Sequence, residues 1–209
     1  MILEPRRGDG RQPPVSGGRA ARSWWLAAVA MALLAGPGWA QTNRAPADPL
    51  ASLKTGQWIR LEGTVRGGAS AWCTGLRQLA GDFLDDDWSL RGPVQSVDPD
   101  KQEFLIAGCR VVVTEDTSYE GKPLESLTGI QDVRPGMVLD VEGTFVADRG
   151  LVSAEVDDES DEVAGKPKLK DRIEIVGRIQ RVDTRHRLVT VMGIEFQITD
   201  KTKMRSAIK

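Results

Sequence analysis

Histidine and cysteine are nearly missing: 209 residues hold one His and two Cys. The single histidine, His186, cannot make a His pair, and no Cys-x-x-Cys or EF-hand spacing occurs. No Ser or Cys stands in a nucleophile-elbow context. Nucleophilic and zinc-hydrolase mechanisms therefore lack their parts, and no cofactor motif is present. Two cysteines are too few for a disulfide scaffold, so apolar burial must hold the fold. Aromatic residues are only 5% of the chain. Beyond residue 40 the chain carries 23 basic and 28 acidic residues, net −5. Both features disfavour nucleic acid as a partner. After Leu50 there is no apolar run long enough to span a bilayer.

The first 40 residues stand apart. Arg6, Arg7, Arg11, Arg19 and Arg22 precede an uncharged apolar stretch from Trp24 to Ala35, then Gly36-Pro37-Gly38. Gly38-Trp39-Ala40 puts small residues where a signal peptidase reads. Residues 1–40 are expected to be a signal peptide, with Gln41 the first mature residue; the alternative is an uncleaved membrane anchor, for which the run is short. The stretch before the apolar run is long enough that translation could start further downstream. Export places the protein in the periplasm or outside the cell.

What the sequence has in quantity is self-similarity, which sets the architecture. Gly92, Val94, Val97, Asp98, Ile106, Gly108, Val113, Thr114 and Thr117 recur 85 positions on as Gly177, Ile179, Val182, Asp183, Val191, Gly193, Ile198, Thr199 and Thr202. Gly56, Ile59, Leu61, Glu62, Gly63 and Thr64 recur 80 positions on as Gly136, Leu139, Val141, Glu142, Gly143 and Thr144. The first pattern alternates apolar and polar residues across turns rich in Asp, Pro and Gly, as a three-stranded meander does. The second alternates on both sides of a Gly-containing turn, as a hairpin does. Residues 89–158 hold a meander, a short connection (123–127) with room for one or two helical turns, and a hairpin. That is the order of a five-stranded OB-type barrel. Gly92 and Gly143, on inward faces, let strands coil as closure of a small barrel demands.

Residues 56–79 are then a hairpin without a meander, and residues 173–202 a meander without a hairpin. The fold class expected is all-β: two small OB-like five-stranded barrels, the second split between the two ends of the mature chain. The domains are 41–82 (hairpin), 89–158 (complete barrel), 159–172 (charged linker) and 173–209, which pairs with 56–79. The runner-up is pairing between molecules, head to tail, through exposed edges. Charge agrees with this grouping: 41–81 carry 5 basic and 2 acidic residues, 163–209 carry 12 and 5, and 82–162 carry 6 and 21. The basic parts could attract an anionic partner.

The run Gly-x-Val-x-x-Val-Asp from Gly92, the strand pair through Thr117, the Leu124–Leu127 connection and Gly-x-x-Leu-x-Val-Glu-Gly-Thr from Gly136 resemble the bacterial domain of unknown function 5666. That family occurs singly or in tandem in exported proteins. The shared residues are turn and core positions, so the resemblance implies a fold and no activity. The split second unit and the Cys- and Trp-bearing first hairpin depart from it.

Candidate residues are few. His186 stands in a turn where the other copy has Lys101 and is expected to be exposed. Asp82, Asp85, Asp86 and Asp87 could gather oxygens for Ca²⁺, against a solvated connector. Cys109 corresponds to core Ile194, whereas Cys73 corresponds to Ser153 on the expected outer face, so a Cys73–Cys109 disulfide is possible but not favoured. Trp72 replaces Val152 and is expected in the core. Trp58 replaces Val138 and is expected outward, sealing the contact between barrels or stacking on a ligand. The functional expectation is a non-enzymatic exported binding or assembly module for an envelope glycan or a protein. The alternatives are a self-associating structural or adhesive protein and, third, an envelope-polymer hydrolase.

Overall fold

Turn chemistry decides where the strands stop. The structure, a computed structural model, describes residues 48–80, 88–120 and 127–205. The expected signal peptide, Asp82, Asp85, Asp86 and Asp87, and residues 123–126 lie outside the described residues. β1 (Trp58–Val65) turns at Gly67-Gly68 into β2 (Ser70–Gln78). β3 (Trp88–Asp98) ends where the Asp98 carboxylate accepts the Lys101 N–H, closing a 3-10 turn over Pro99–Lys101. β4 (Glu103–Ile106) and β5 (Cys109–Val112) are joined by Ala107 and Gly108, both at positive φ, as a two-residue hairpin turn requires. Then come β6 (Ser118–Glu120), a 3-10 turn at Ile130–Asp132, β7 (Val138–Val146), β8 (Gly150–Asp158) and one helical turn, α1 (Ser160–Val163). The last strands are β9 (Arg172–Arg178), β10 (Arg181–Asp183), β11 (Leu188–Val191), β12 (Ile194–Gln197) and β13 (Lys203–Arg205). Among the described residues no helix is long and apolar enough to cross a membrane.

The architecture is all-β: a closed five-stranded barrel with further strands joined to it. The barrel runs β3–β4–β5–β8–β7 and back to β3, sealed by the parallel pair Val111↔Leu151 and Val112↔Val152. The other strands form a ladder in which β1 lies between β2 and β9, and β2 pairs in parallel with β12 and then β13. The two sets meet at β3 and β9, through Ser89↔Val176, Leu90↔Ile175 and Arg91↔Glu174.

Register ties the sets together. Gly92↔Leu139 in the barrel is matched by Gly177↔Ile59, Val111↔Leu151 by Phe196↔Ala71, Ser118↔Glu155 by Lys203↔Gly75, and Gly143↔Ser153 by Gly63↔Cys73. These are the same 85- and 80-residue offsets. The threonines of the motif have one use in both places. Thr117 Oγ1 accepts the Thr114 N–H (2.8 Å) and donates to the Ser153 carbonyl (2.8 Å). Thr202 Oγ1 accepts the Thr199 N–H (2.9 Å) and donates to the Cys73 carbonyl (2.7 Å). Each hydroxyl closes a tight turn and satisfies a carbonyl that a bulge has freed from the ladder.

That bulge corrects two expectations. Between Glu62 and Gly63 the register against β2 slips by one residue, and between Glu142 and Gly143 it slips against β8. A one-residue slip exchanges the faces of a strand. Leu76 points inward on one side of the bulge, and Cys73 and Ala71 do so on the other. Cys73, expected outside, is therefore buried, and Trp72, expected in the core, is 45% exposed. Gly63 and Gly143 occupy the slip because nothing larger fits. A Cβ there would lie 2.6 Å from the Trp72 carbonyl oxygen and 2.1 Å from that of Val152.

Two further features differ from expectation. Leu50 and Leu53, in and just after a 3-10 turn over Pro49–Ser52, are buried in the same core as the strands, so the core extends ahead of the first hairpin. Full burial of a leucine stabilises by roughly 1.5–3 kcal/mol. The acidic run that leads into the charged linker makes specific contacts at its start. Asp157 and Asp158 end β8, the Glu159 N–H donates to the Val138 carbonyl, and Arg91 reaches both Glu159 (3.2 Å) and Glu162 (2.9 Å).

Candidate functional site

Outward residues of β2 and β13 build a groove of about 780 Å³. After the bulge, Gly75 and Arg77 face out from β2, and Lys203 and Arg205 stand directly opposite them on β13. The Thr199–Thr202 turn supplies Lys201 and Asp200, and β1 supplies Arg60 and Glu62. Trp72 lines the groove beside Thr74, with the Arg66 guanidinium 4.1 Å from its ring centroid. Arg60 pairs with Glu174 (3.4 Å) and Glu62 with Arg172 (3.0 Å). Among the described residues Arg77, Lys201, Lys203 and Arg205 have no ion pair. The groove thus offers cations without partners and a planar apolar ring, a combination that takes carboxylates or other oxyanions borne on a ring or chain. Its thiol, Cys73, is pushed up to about 12 by burial, so it supplies no thiolate.

The barrel carries the opposite charge in the matching place. Arg205, Arg77 and Arg60 form a row directly across β13, β2 and β1. At the same offsets, Glu120, Asp157 and Asp140 form a row directly across β6, β8 and β7. Carboxylate oxygens of Glu120, Glu155 and Asp157 lie within 4.8 Å of one another. Burial raises the Asp157 carboxyl above the ordinary carboxylate range, and Glu155, Glu120 and Asp140 add to the rise. Its Oδ1 is buried with no hydrogen-bond partner among the described residues. Asp140 is also raised by burial, against the pull of Arg91. Hard carboxylate oxygens in this number could contribute to a Ca²⁺ shell but fall short of filling one.

The candidates read from the sequence lie elsewhere. Trp58 is half-buried where the two strand sets meet. Its ring centroid is 5.2 Å from that of Trp88, which is in turn 5.2 Å from Phe145, and the Arg178 guanidinium lies 5.1 Å from the Trp58 centroid. It contributes to an aromatic cluster at the junction. His186 is exposed in its turn, with Nδ1 2.8 Å from Asp183 Oδ2. Lys101 Nζ makes the equivalent contact with Asp98 (2.5 Å), so either residue type serves that turn. Cys73 and Cys109 are both buried free thiols, and burial pushes Cys109 up to about 12 as well. The groove cations were missed as a group. The excess of basic residues over 163–209 was their signal, but only the parallel pairing of β13 with β2 gathers them beside Arg60 and Arg77.

No curated protein and no solved structure matches this chain. A family model described as "Domain of unknown function (DUF5666)" matches residues 91–166, from the fourth residue of β3 to just beyond α1. That stretch holds nearly all of the closed barrel and its acidic row. Residues 91–166 thus match the DUF5666 family, as the motifs running from Gly92 to Thr144 indicate.

Proposed function

We propose that this protein is a non-catalytic binding module that works outside the cytoplasm, in the periplasm or beyond it. It is built as two OB-like barrels, one continuous in sequence and one assembled from both ends of the mature chain. The matched registers at the two offsets support the second barrel: β10 follows β9 after two residues, and the Gln180 N–H donates to the Thr190 carbonyl (2.8 Å), where a five-stranded circuit would close. The layout of residues 1–40 supports export. The groove on β2 and β13 engages an extended anionic partner, either an acidic envelope glycan or an acidic protein surface. One observation carries this reading: an exposed Trp72 beside four cations that have no internal counter-charge among the described residues.

Calorimetric titration with polygalacturonate, an acidic glycan, and with dextran, a neutral one, tests it. The acidic polymer should bind at low ionic strength and weaken steeply with salt. Arg77→Glu should weaken binding at least about tenfold, and Trp72→Ala by a smaller factor. Equal binding of the two polymers, or no effect of Arg77→Glu, would overturn the assignment of the groove.

A further inference from the structure

The basic and acidic rows lie on one continuous outer surface. Strand pairing runs without a break from β13 through β2, β1, β9, β3, β7 and β8 to β6. Arg60 and Glu62, two residues apart, share the outer face of β1. Glu62 stands opposite Glu174, Glu174 opposite Arg91, and Arg91 opposite Asp140. The face is therefore basic at its β13–β2–β1 end and acidic at its β7–β8–β6 end. Its middle is already neutralised by Arg60–Glu174, Arg172–Glu62 and the Arg91 pairs. Its ends are not. Arg77, Lys203 and Arg205 at one end, and Glu120, Glu155 and Asp157 at the other, have no ion pair among the described residues.

Like charges directly opposite one another across strands cost stability. A foreign polyanion would relieve only the basic end, and a cation only the acidic end. A partner that relieves both must carry both charges at matching spacing, and this chain does. We propose that the groove's anionic partner is the acidic end of the same face on a second copy, the two copies meeting face to face about a two-fold axis. Such an axis, lying between the copies and across the rows, brings each basic end onto the other's acidic end. Two equivalent contacts form at once and the assembly closes as a dimer. Edge-to-edge strand exchange is not the route, because β1 and β2, which would seek partners in another molecule, already pair with β9, β12 and β13 of their own chain. The inference rests on the groove being a binding surface and names its partner.

Light scattering coupled to size exclusion, on the full chain, tests it through a charge exchange. At about 10 mM salt, where charges act over ~30 Å, the parent protein should run at twice the monomer mass, and at about 1 M salt it should dissociate. Arg77→Glu/Lys203→Glu and Glu155→Lys/Asp157→Lys should each be monomeric, with association weakened at least about tenfold. Each also relieves a like-charge row, so neither should endanger the fold. Mixed one to one, they should recover the dimer mass, since both contacts of the heterodimer are again between opposite charges. If either variant loses the parent's far-ultraviolet dichroism, Arg77→Gln and Asp157→Asn replace them and should still weaken association at least about threefold. A parent monomeric at low salt, a mixture that stays monomeric, or an open series of masses would overturn the two-fold dimer. A parent that stays monomeric yet still binds polygalacturonate through Arg77 would sink the dimer and leave the groove assignment standing. A dimer untouched by Arg77→Glu/Lys203→Glu would sink both.

Discussion

Arg60, Arg77 and Arg205 sit at one end of the molecule where Asp140, Asp157 and Glu120 sit at the other, strand for strand and register for register. Beneath them the two regions barely differ. Leu61 corresponds to Val141, Leu76 to Val156 and Ile198 to Val113, all buried. Turns keep their Asp, Gly and Thr because each makes the same backbone contact in both places. Inward and turning positions answer to packing and hydrogen bonding, which tolerate little change. Outward positions answer to solvent, so their charge can be reversed without disturbing the ladder. Whatever distinguishes the two regions in function must be carried by these outward side chains.

The likeness of the two interiors shows first in their thiols. Cys73 belongs to one region and Cys109 to the other, and both are buried and pushed up to about 12. Alkylation near pH 8 should be about a thousandfold slower in the folded protein than in denaturant, for both thiols alike, as mass spectrometry of timed samples would read. A fast thiol would show that its region opens on its own. Next come the bulge glycines. Gly143→Ala forces a Cβ onto the Val152 carbonyl and should cost about 3 kcal/mol or more; Gly63→Ala, with slightly more room, should cost less. Denaturant midpoints of both variants measure the difference, and equal midpoints would contradict the geometry. Thr117→Val and Thr202→Val each remove a hydroxyl shared between an N–H and a carbonyl. Each should cost about 1–3 kcal/mol, Thr117 the more because it is the more buried.

The smallest effects sharpen the contrast in charge. The folded state raises the Asp157 carboxyl, so folding favours its protonated form. The penalty is absent below the ordinary carboxylate pKa and complete once pH has risen through the raised folded value. In the monomer, at protein concentrations too low for copies to pair, Asp157→Asn at pH 7 should gain about 0.5–1 kcal/mol after solvent screening, or roughly 1–4 °C in melting temperature; near pH 3 the gain should vanish. Arg77→Gln should gain a similar amount at pH 7, because it breaks the opposite row. Calorimetric scans at the two pH values check both, and a loss of stability at pH 7 in either variant would mean that its row is already neutralised.

Much of the strand order and the turn chemistry was legible in the sequence, because alternation and Asp, Gly and Thr spacings are local signals. The bulges were not. A slip of one residue leaves no mark in composition, yet it decided that Cys73 goes in and Trp72 stays out. Strands of three residues, β6 and β13, carry too little alternation to be read, and their parallel pairing with β8 and β2 creates both charged rows. Leu50 and Leu53 were hidden by Asp48-Pro49, which reads as a loop but opens a capped 3-10 turn. The groove could not be found without these non-local contacts, since its cations come from positions 60 to 205.

The Thr202 hydroxyl holds the Cys73 carbonyl across 129 residues of sequence. A chain emerging end-first from a ribosome or a translocation pore makes the hairpin of β1 and β2 early but can lock it only when the final strands arrive. Closure is thus deferred until β12 and β13 have emerged. Until then the hairpin lacks the partners that lock it, so the folding of this region waits on contacts far apart in sequence.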